Sequence, residues 1–181
     1  MTSAEEFTEF ATAASPQLQR TAFLLCGDWH TAEDLVQATL AKVFVSWRRI
    51  RRRDAAHAYA TRTLVNTYLT DKRLKRSGEV LTGQLPERPA EARAPELRMV
   101  VLEALATLPP GARAVVVLRY WADLSVDQAA VVLGCSPGNV KSQSARALGK
   151  LRVLLGDAAA ESGSPGPPLG QQDETRDGRH G

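Results

Sequence analysis

An all-α protein, two small helical domains joined by a flexible linker, is the fold this sequence predicts, and three observations predict it. Apolar residues recur at helical spacing almost everywhere, and no alternating strand pattern survives. A stretch bearing prolines and glycines, residues 77–96, interrupts that periodicity near the middle of the chain. Charge divides the same way: residues 1–76 sum to +4, 77–96 to −2, 97–155 to +4 and 156–181 to −3. The formal net charge of +3 is therefore an average over two basic blocks and two acidic pieces. A length of 181 residues suits one ordinary domain or two small ones, and 44% hydrophobic residues are enough for real cores.

The elements follow in order. Ser3 and Glu6 form a capping box for a first helix, with Phe7, Phe10, Ala14, Leu18 and Leu25 inward. Ser15-Pro16 restarts or kinks it, and Gly27 stops it. Thr31 caps a second helix, with Glu33 and Asp34 in the first turn, where the helix dipole favours carboxylates. Its apolar stripe is Leu35, Thr39, Val43, Trp47 and Ile50. A third helix follows Asp54 and runs to about Arg76, with Tyr59, Thr63 and Leu64 inward. Residues 77–96 read as an extended tether. A fourth helix opens at Glu96 and ends at the Pro109-Pro110-Gly111 turn; a fifth, Ala112 to Trp121, is apolar enough to be buried on most sides. Ser125 with Gln128 caps a sixth, and Ser136-Pro137 starts the last, which places Val140, Ser144, Ala147, Leu148 and Leu151 on one face. From Gly156 onward large apolar residues are too few to offset ordering entropy, so the tail 156–181 is expected to be disordered.

Several functions are disfavoured. Cys26 and Cys135 lack metal-site or disulfide-framework spacing, which fits a reducing cytoplasm. The start of the chain has no apolar signal region, and the run Ala114–Leu118 is far below the roughly 20 residues a membrane span needs. His30, His57 and His180 are scattered, and no phosphate-binding glycine pattern occurs, so neither an enzyme, a metal nor a cofactor is expected.

Two stretches point to DNA. SVDQAAVVL, the turn GCS and PGNVKSQSARALGKLR have the proportions of a helix-turn-helix, with Ala130 at the helix crossing, Gly134 in the turn and Val140 as buried anchor. Ser142, Ala145, Arg146 and Gly149 then point outward, with Lys141 and Arg152 at the flanks, a small and basic face suited to a major groove. The second stretch, Arg48 to Arg76, holds ten basic residues against Asp54 and Asp71. Trp47, Tyr59 and Tyr68 are interleaved with it, as in grooves that bind single strands by charge and stacking.

Together, LLCGDWHTAEDLVQATLAKVFVSW with AYATRTLVNTYLTDKRLKR, and later LPPGARAVVVLRYWADLSVDQAAVVLGCSPGNVKSQSARALGKLR, resemble an extracytoplasmic-function (ECF) sigma factor of the sigma-70 superfamily over about residues 5–155. The resemblance implies a region 2-like bundle at 1–76 and a region 4-like four-helix domain with the helix-turn-helix at 97–155. It implies that Glu33, Asp34, Leu35 and Gln37 grip the clamp coiled coil of core RNA polymerase, and that the second domain meets the flap. Arg48, Arg49, Arg51, Arg52, Arg53, Tyr59, Arg62, Asn66, Lys72 and Arg73 would open and hold the −10 element. Asn139, Lys141, Ser142, Gln143, Ala145 and Arg146 would read the −35 element. Promoter DNA is the implied ligand, the linker would lie along polymerase, and an anti-sigma factor is a further partner of the family. Ala38 stands where many members have glutamate, Thr70 where aspartate is common, and Gln143 where arginine is frequent; Gln143 either reads adenine or packs at the helix edge. The residues alone leave two other readings: a stand-alone helix-turn-helix regulator, which has no need of the Arg48–Arg76 stretch, and a sigma mimic that sequesters polymerase.

Overall fold

A computed structural model describes residues 2–50, 53–77 and 95–162. The described residues include seven α-helices: α1 Ser3–Cys26, α2 Trp29–Ser46, α3 Arg53–Ser77, α4 Pro95–Ala106, α5 Pro110–Val116, α6 Val126–Leu133 and α7 Pro137–Ser162. A 3₁₀ turn, Trp47–Arg49, follows α2, and a π-helical turn, Val117–Trp121, extends α5.

The helix ends show which local signals win. Overlapping capping patterns begin at Thr2 and Ser3, and the upstream one forms: Thr2 N–H donates to Glu5 Oε2 at 2.7 Å while Glu5 N–H donates to Thr2 Oγ1. Pro16 neither stops nor restarts α1. Thr12, whose carbonyl loses the Pro16 N–H, is exposed, so water can satisfy it. Gly27 ends α1 at φ 88°, a left-handed cap. The very next residue caps α2: Asp28, not Thr31, takes the N-cap position and accepts the Thr31 N–H at 2.9 Å. The Ser125–Gln128 capping box and the Ser136 cap form as expected. The last helix continues to Ser162, six residues past Gly156, through an alanine-rich segment of high helix propensity. The predicted tether falls mostly at 78–94 and the rest of the predicted tail at 163–181, both outside the described residues.

Helices α1–α3 pack together around Ala14, Leu18, Leu25, Val43, Leu64 and Val65. In α3 the inward residues are Ala56, Ala60, Leu64, Val65, Thr67 and Tyr68; Leu64 is placed as expected, whereas Tyr59 is exposed and Thr63 half-buried. In the second region α4, α5 and α7 enclose Leu105, Leu108, Val116, Ala147 and Leu151. Lys150 Nζ reaches across to the Thr107 carbonyl at 2.8 Å, placing a cation at the C-terminal end of α4.

The two regions are not held apart. Val115, Val117, Leu118, Ala130 and Val140 join the same core as the first region, because α5 and its π-helical extension are buried on most sides and α4 and α7 cover only part of them. Helix α6 lies against α3, and α5 against α1 and α3. Arg113, only 6% exposed, clasps the junction: its Nε donates to the Leu24 carbonyl at 2.6 Å, in the last turn of α1, where carbonyls lack helical partners. Burial holds its guanidinium below the usual arginine range, with Tyr68 and Cys26 working in the opposite sense.

Candidate nucleic-acid interface

The helix-turn-helix is built around one left-handed residue. Gly134, at φ 63°, closes α6 by returning its N–H to the Ala130 carbonyl, and Cys135 N–H reaches the same carbonyl at 3.1 Å. Ser136 Oγ then accepts the Asn139 N–H at 3.2 Å and starts α7. Val140, Ser144, Ala147 and Leu151 are buried and Leu148 is half-buried, so the opposite face is fixed outward. On that face Asn139, Lys141, Ser142, Ala145, Arg146, Gly149 and Arg152 are all exposed. Gln143 differs: it is half-buried, and its Nε2 donates to Asn139 Oδ1 at 3.0 Å.

The first region gathers a second set. Arg48 and Arg49 are exposed in the 3₁₀ turn. Arg53 opens α3, its side chain outside the described residues, as are Arg51 and Arg52 entirely. Tyr59, Arg62, Asn66 and Arg73 are exposed, and at 3.6 residues per turn their spacing puts them along one stripe of α3. Tyr59 donates its hydroxyl to Ser46 Oγ at 3.0 Å, which braces a ring that is 38% exposed. One expectation is corrected. Tyr68 is 3% exposed and forms part of the core, its hydroxyl pushed up to about 12 by burial, so it offers no stacking face. Lys72 is half-buried beside the stripe, its ammonium 5.7 Å from the Tyr68 ring centroid. Trp47 is half-buried against Phe7 and Phe10, centroids 5.4 and 5.0 Å away.

On α2, Glu33, Asp34 and Gln37 are exposed while Leu35 is 5% exposed and packs inward. Ala38, Ala41 and Val45 continue the Asp34–Gln37 face, and Val45 is 83% exposed. Sequence reasoning passed over this apolar extension; the signal was a valine at helical spacing from Asp34 on the side opposite Val43. It also passed over Arg113, since nothing local marks an arginine that bonds a carbonyl in a distant helix.

Among the described residues no three His, Cys, Asp or Glu side chains are grouped to hold a metal, and no helix is long and apolar enough to cross a membrane.

A helix-turn-helix joined to a basic three-helix region is the build of a DNA-binding transcription factor, and the comparisons specify its kind. Residues 10–77 match Sigma-70 region 2 and residues 98–151 match Sigma-70, region 4. The RNA polymerase sigma-E factor of Streptomyces coelicolor is 38% identical over 152 residues, 83% of this chain and 86% of that one. The ECF RNA polymerase sigma factor SigE of Mycolicibacterium smegmatis is 31% identical over 165 residues, 85% of this chain and 63% of that one. The sigma factor RpoE of Bartonella quintana, solved in complex with the anti-sigma factor NepR, superposes with a TM-score of 0.69 at 26% identity, covering 84% of this chain and 98% of that chain. The chain belongs to the sigma-70 family of RNA polymerase sigma factors, in its ECF group. It is a promoter-directing factor that binds core RNA polymerase and promoter DNA, of a non-enzymatic class. The stand-alone regulator reading is not favoured, since the region 2 match includes the whole Arg48–Arg76 stretch.

Proposed function

We propose the following division of labour among the residues. The exposed face of α7, with Asn139, Lys141, Ser142, Ala145 and Arg146, enters the major groove of the −35 element. The α3 stripe of Tyr59, Arg62, Asn66 and Arg73 holds one strand of the −10 element, with Arg48, Arg49 and the following arginines Arg51, Arg52 and Arg53 neutralising its phosphates. Tyr59 is the stacking platform. A base on such a ring gains about 1–3 kcal/mol, comparable to the cost of unstacking it, so the captured strand stays open. Lys72 supports the strand from the edge. The α2 face of Glu33, Asp34, Gln37 and Val45 meets the clamp of polymerase, and Leu35 holds that helix in place from beneath. The protein acts in the cytoplasm, where polymerase and DNA are.

The observation that carries this reading is the α3 stripe: a polar, basic, ring-bearing line left exposed on a helix whose other face is core. An anti-sigma partner is part of the proposal, as the Bartonella relative was solved with one. Here a groove of about 600 Å³ between α3 and α6, bordered by Tyr59, Arg62, Leu124 and Val131, opens beside the stripe and could take side chains of such a partner. Run-off transcription with purified core polymerase tests the function. A transcript that depends on both this chain and a promoter is expected; sharp operator binding without polymerase, and no transcript with it, would refute the reading.

A further inference from the structure

Asn139 is the third residue of α7, where helix-turn-helix proteins touch base edges, and its backbone is held by the Ser136 cap. Its side chain is already engaged within α7. Gln143, one turn later, is half-buried because it lies over the start of α5: a methyl built on Gly111 would meet Gln143 Oε1 at 3.6 Å. The other end of the same amide donates to Asn139 Oδ1 at 3.0 Å. A glutamine flanked by α5 on one side and engaged with Asn139 on the other does not present a donor–acceptor pair to a base. An asparagine carboxamide has two unlike ends, and with Oδ1 turned toward Gln143 the end left for the groove is the Nδ2 donor.

Resting on the assignment of α7 to the −35 element, we propose that Gln143 is a positioning residue, not a base reader, and that it makes Asn139 a donor-only reader favouring guanine over cytosine. In the major groove guanine offers two acceptors, N7 and O6, whereas cytosine offers only its N4–H₂ donor. The bidentate adenine contact open to a free asparagine needs Oδ1 to accept from N6–H, and the hydrogen bond from Gln143 turns that oxygen away. Specificity at this base pair is therefore set by a residue that does not touch it.

The test uses the full chain with core polymerase on a promoter library randomised through the −35 element, reading the guanine-to-cytosine ratio at each position in the transcripts. Asn139→Ala identifies the position that Asn139 reads, by abolishing its preference. Gln143→Glu replaces the donor by an acceptor, so the Asn139 amide turns over, Nδ2 toward residue 143 and Oδ1 toward the groove. The guanine-to-cytosine ratio at that position then falls at least about fivefold, the low end of what a good base contact discriminates. Gln143→Ala relaxes the ratio to an intermediate value, and in the Asn139→Ala background neither change at 143 alters it. Because the readout is a ratio, a general loss of DNA affinity from the added carboxylate cancels. The proposal is overturned if the ratio is unchanged by both variants while output drops for all sequences alike. It is overturned equally if residue 143 still sets a base preference when Asn139 is alanine. A wild-type holoenzyme with no −35 preference at any position would remove the α7 assignment itself, an outcome visible before any variant is made.

Discussion

Lys141 stands at the edge of the exposed α7 face, beside the residues aimed into the groove. A lysine so placed meets phosphate, a contact that strengthens binding without choosing sequence. Lys141→Ala should weaken −35 binding across all sequences and reduce the slope of log affinity against log salt by about 1 in a titration of holoenzyme on duplex. A changed base preference with an unchanged slope would remove Lys141 from the phosphate role. At the junction of the regions, half-buried Cys26 and buried Tyr68 are neutral acids whose pKa values rise, from 9.0 to about 11 and from 10.0 to about 12, chiefly by desolvation. Both groups ionise more readily in the unfolded chain, so above pH 9 the unfolded state loses protons that the folded state keeps. The stability these two groups contribute is therefore full below about pH 9 and is lost as pH rises from there through 11 and 12. Urea unfolding of the whole protein against pH should show that decline, with a later onset in Cys26→Ala.

At the scale of elements, the turn between α6 and α7 depends on Gly134, whose φ of 63° a side chain strains. No atom stands within 4 Å of where a Cβ would be, so Gly134→Ala costs backbone strain alone, about 1 kcal/mol, read as a lower urea midpoint. The −35 face should also weaken, since the turn sets the direction in which α7 leaves. Elements of this kind were readable in the sequence because their signals are local: Gly134, the Ser125–Gln128 box, Ser136-Pro137 and the α7 periodicity all act within a few residues. The errors have physical causes too. Thr2 and Ser3 both begin capping patterns, and only one can form. Thr31 resembles a cap, but Asp28 follows Gly27 directly and accepts the Thr31 N–H itself. Tyr59 and Tyr68 look alike in a basic stretch, nine residues and two and a half turns apart; packing against α1, α2 and α5 decides that one is exposed and the other core. Gln143 was readable only as a choice between reading and packing, because the start of α5 that it lies over, at Gly111, belongs to a different helix.

For the whole molecule, the shared core and the Arg113 clasp join the two regions into one body. A compact body of this size has a radius of gyration of about 15 Å. The −35 and −10 elements lie about 25 base pairs apart, about 85 Å of duplex at 3.4 Å per step. On the proposed assignment of α7 to the −35 element and α3 to the −10 element, one packed body does not hold both, which predicts that α6 leaves α3 and the clasp breaks when the promoter is engaged on polymerase. In the free protein the shared core predicts one cooperative transition. Trp29 and Trp47 report the first region and Trp121 the second, and their fluorescence should change together with the loss of helix. Arg113→Ala leaves the Leu24 carbonyl without that donor and should cost about 2 kcal/mol. It should also separate the transitions of the two regions; coincident curves in the variant would show that the clasp does not couple them.

The central claim is that this chain makes polymerase open a promoter by holding one strand on the exposed stripe of α3. Permanganate reactivity of thymines in the −10 element, with core polymerase and the full chain, measures it directly. Reactive, unpaired thymines are expected with the wild-type protein, and Asn66→Ala should lose most of that reactivity while retaining binding to the duplex. Thymines that stay protected with the wild-type holoenzyme, or an Asn66→Ala variant that loses opening and duplex binding equally, would contradict it.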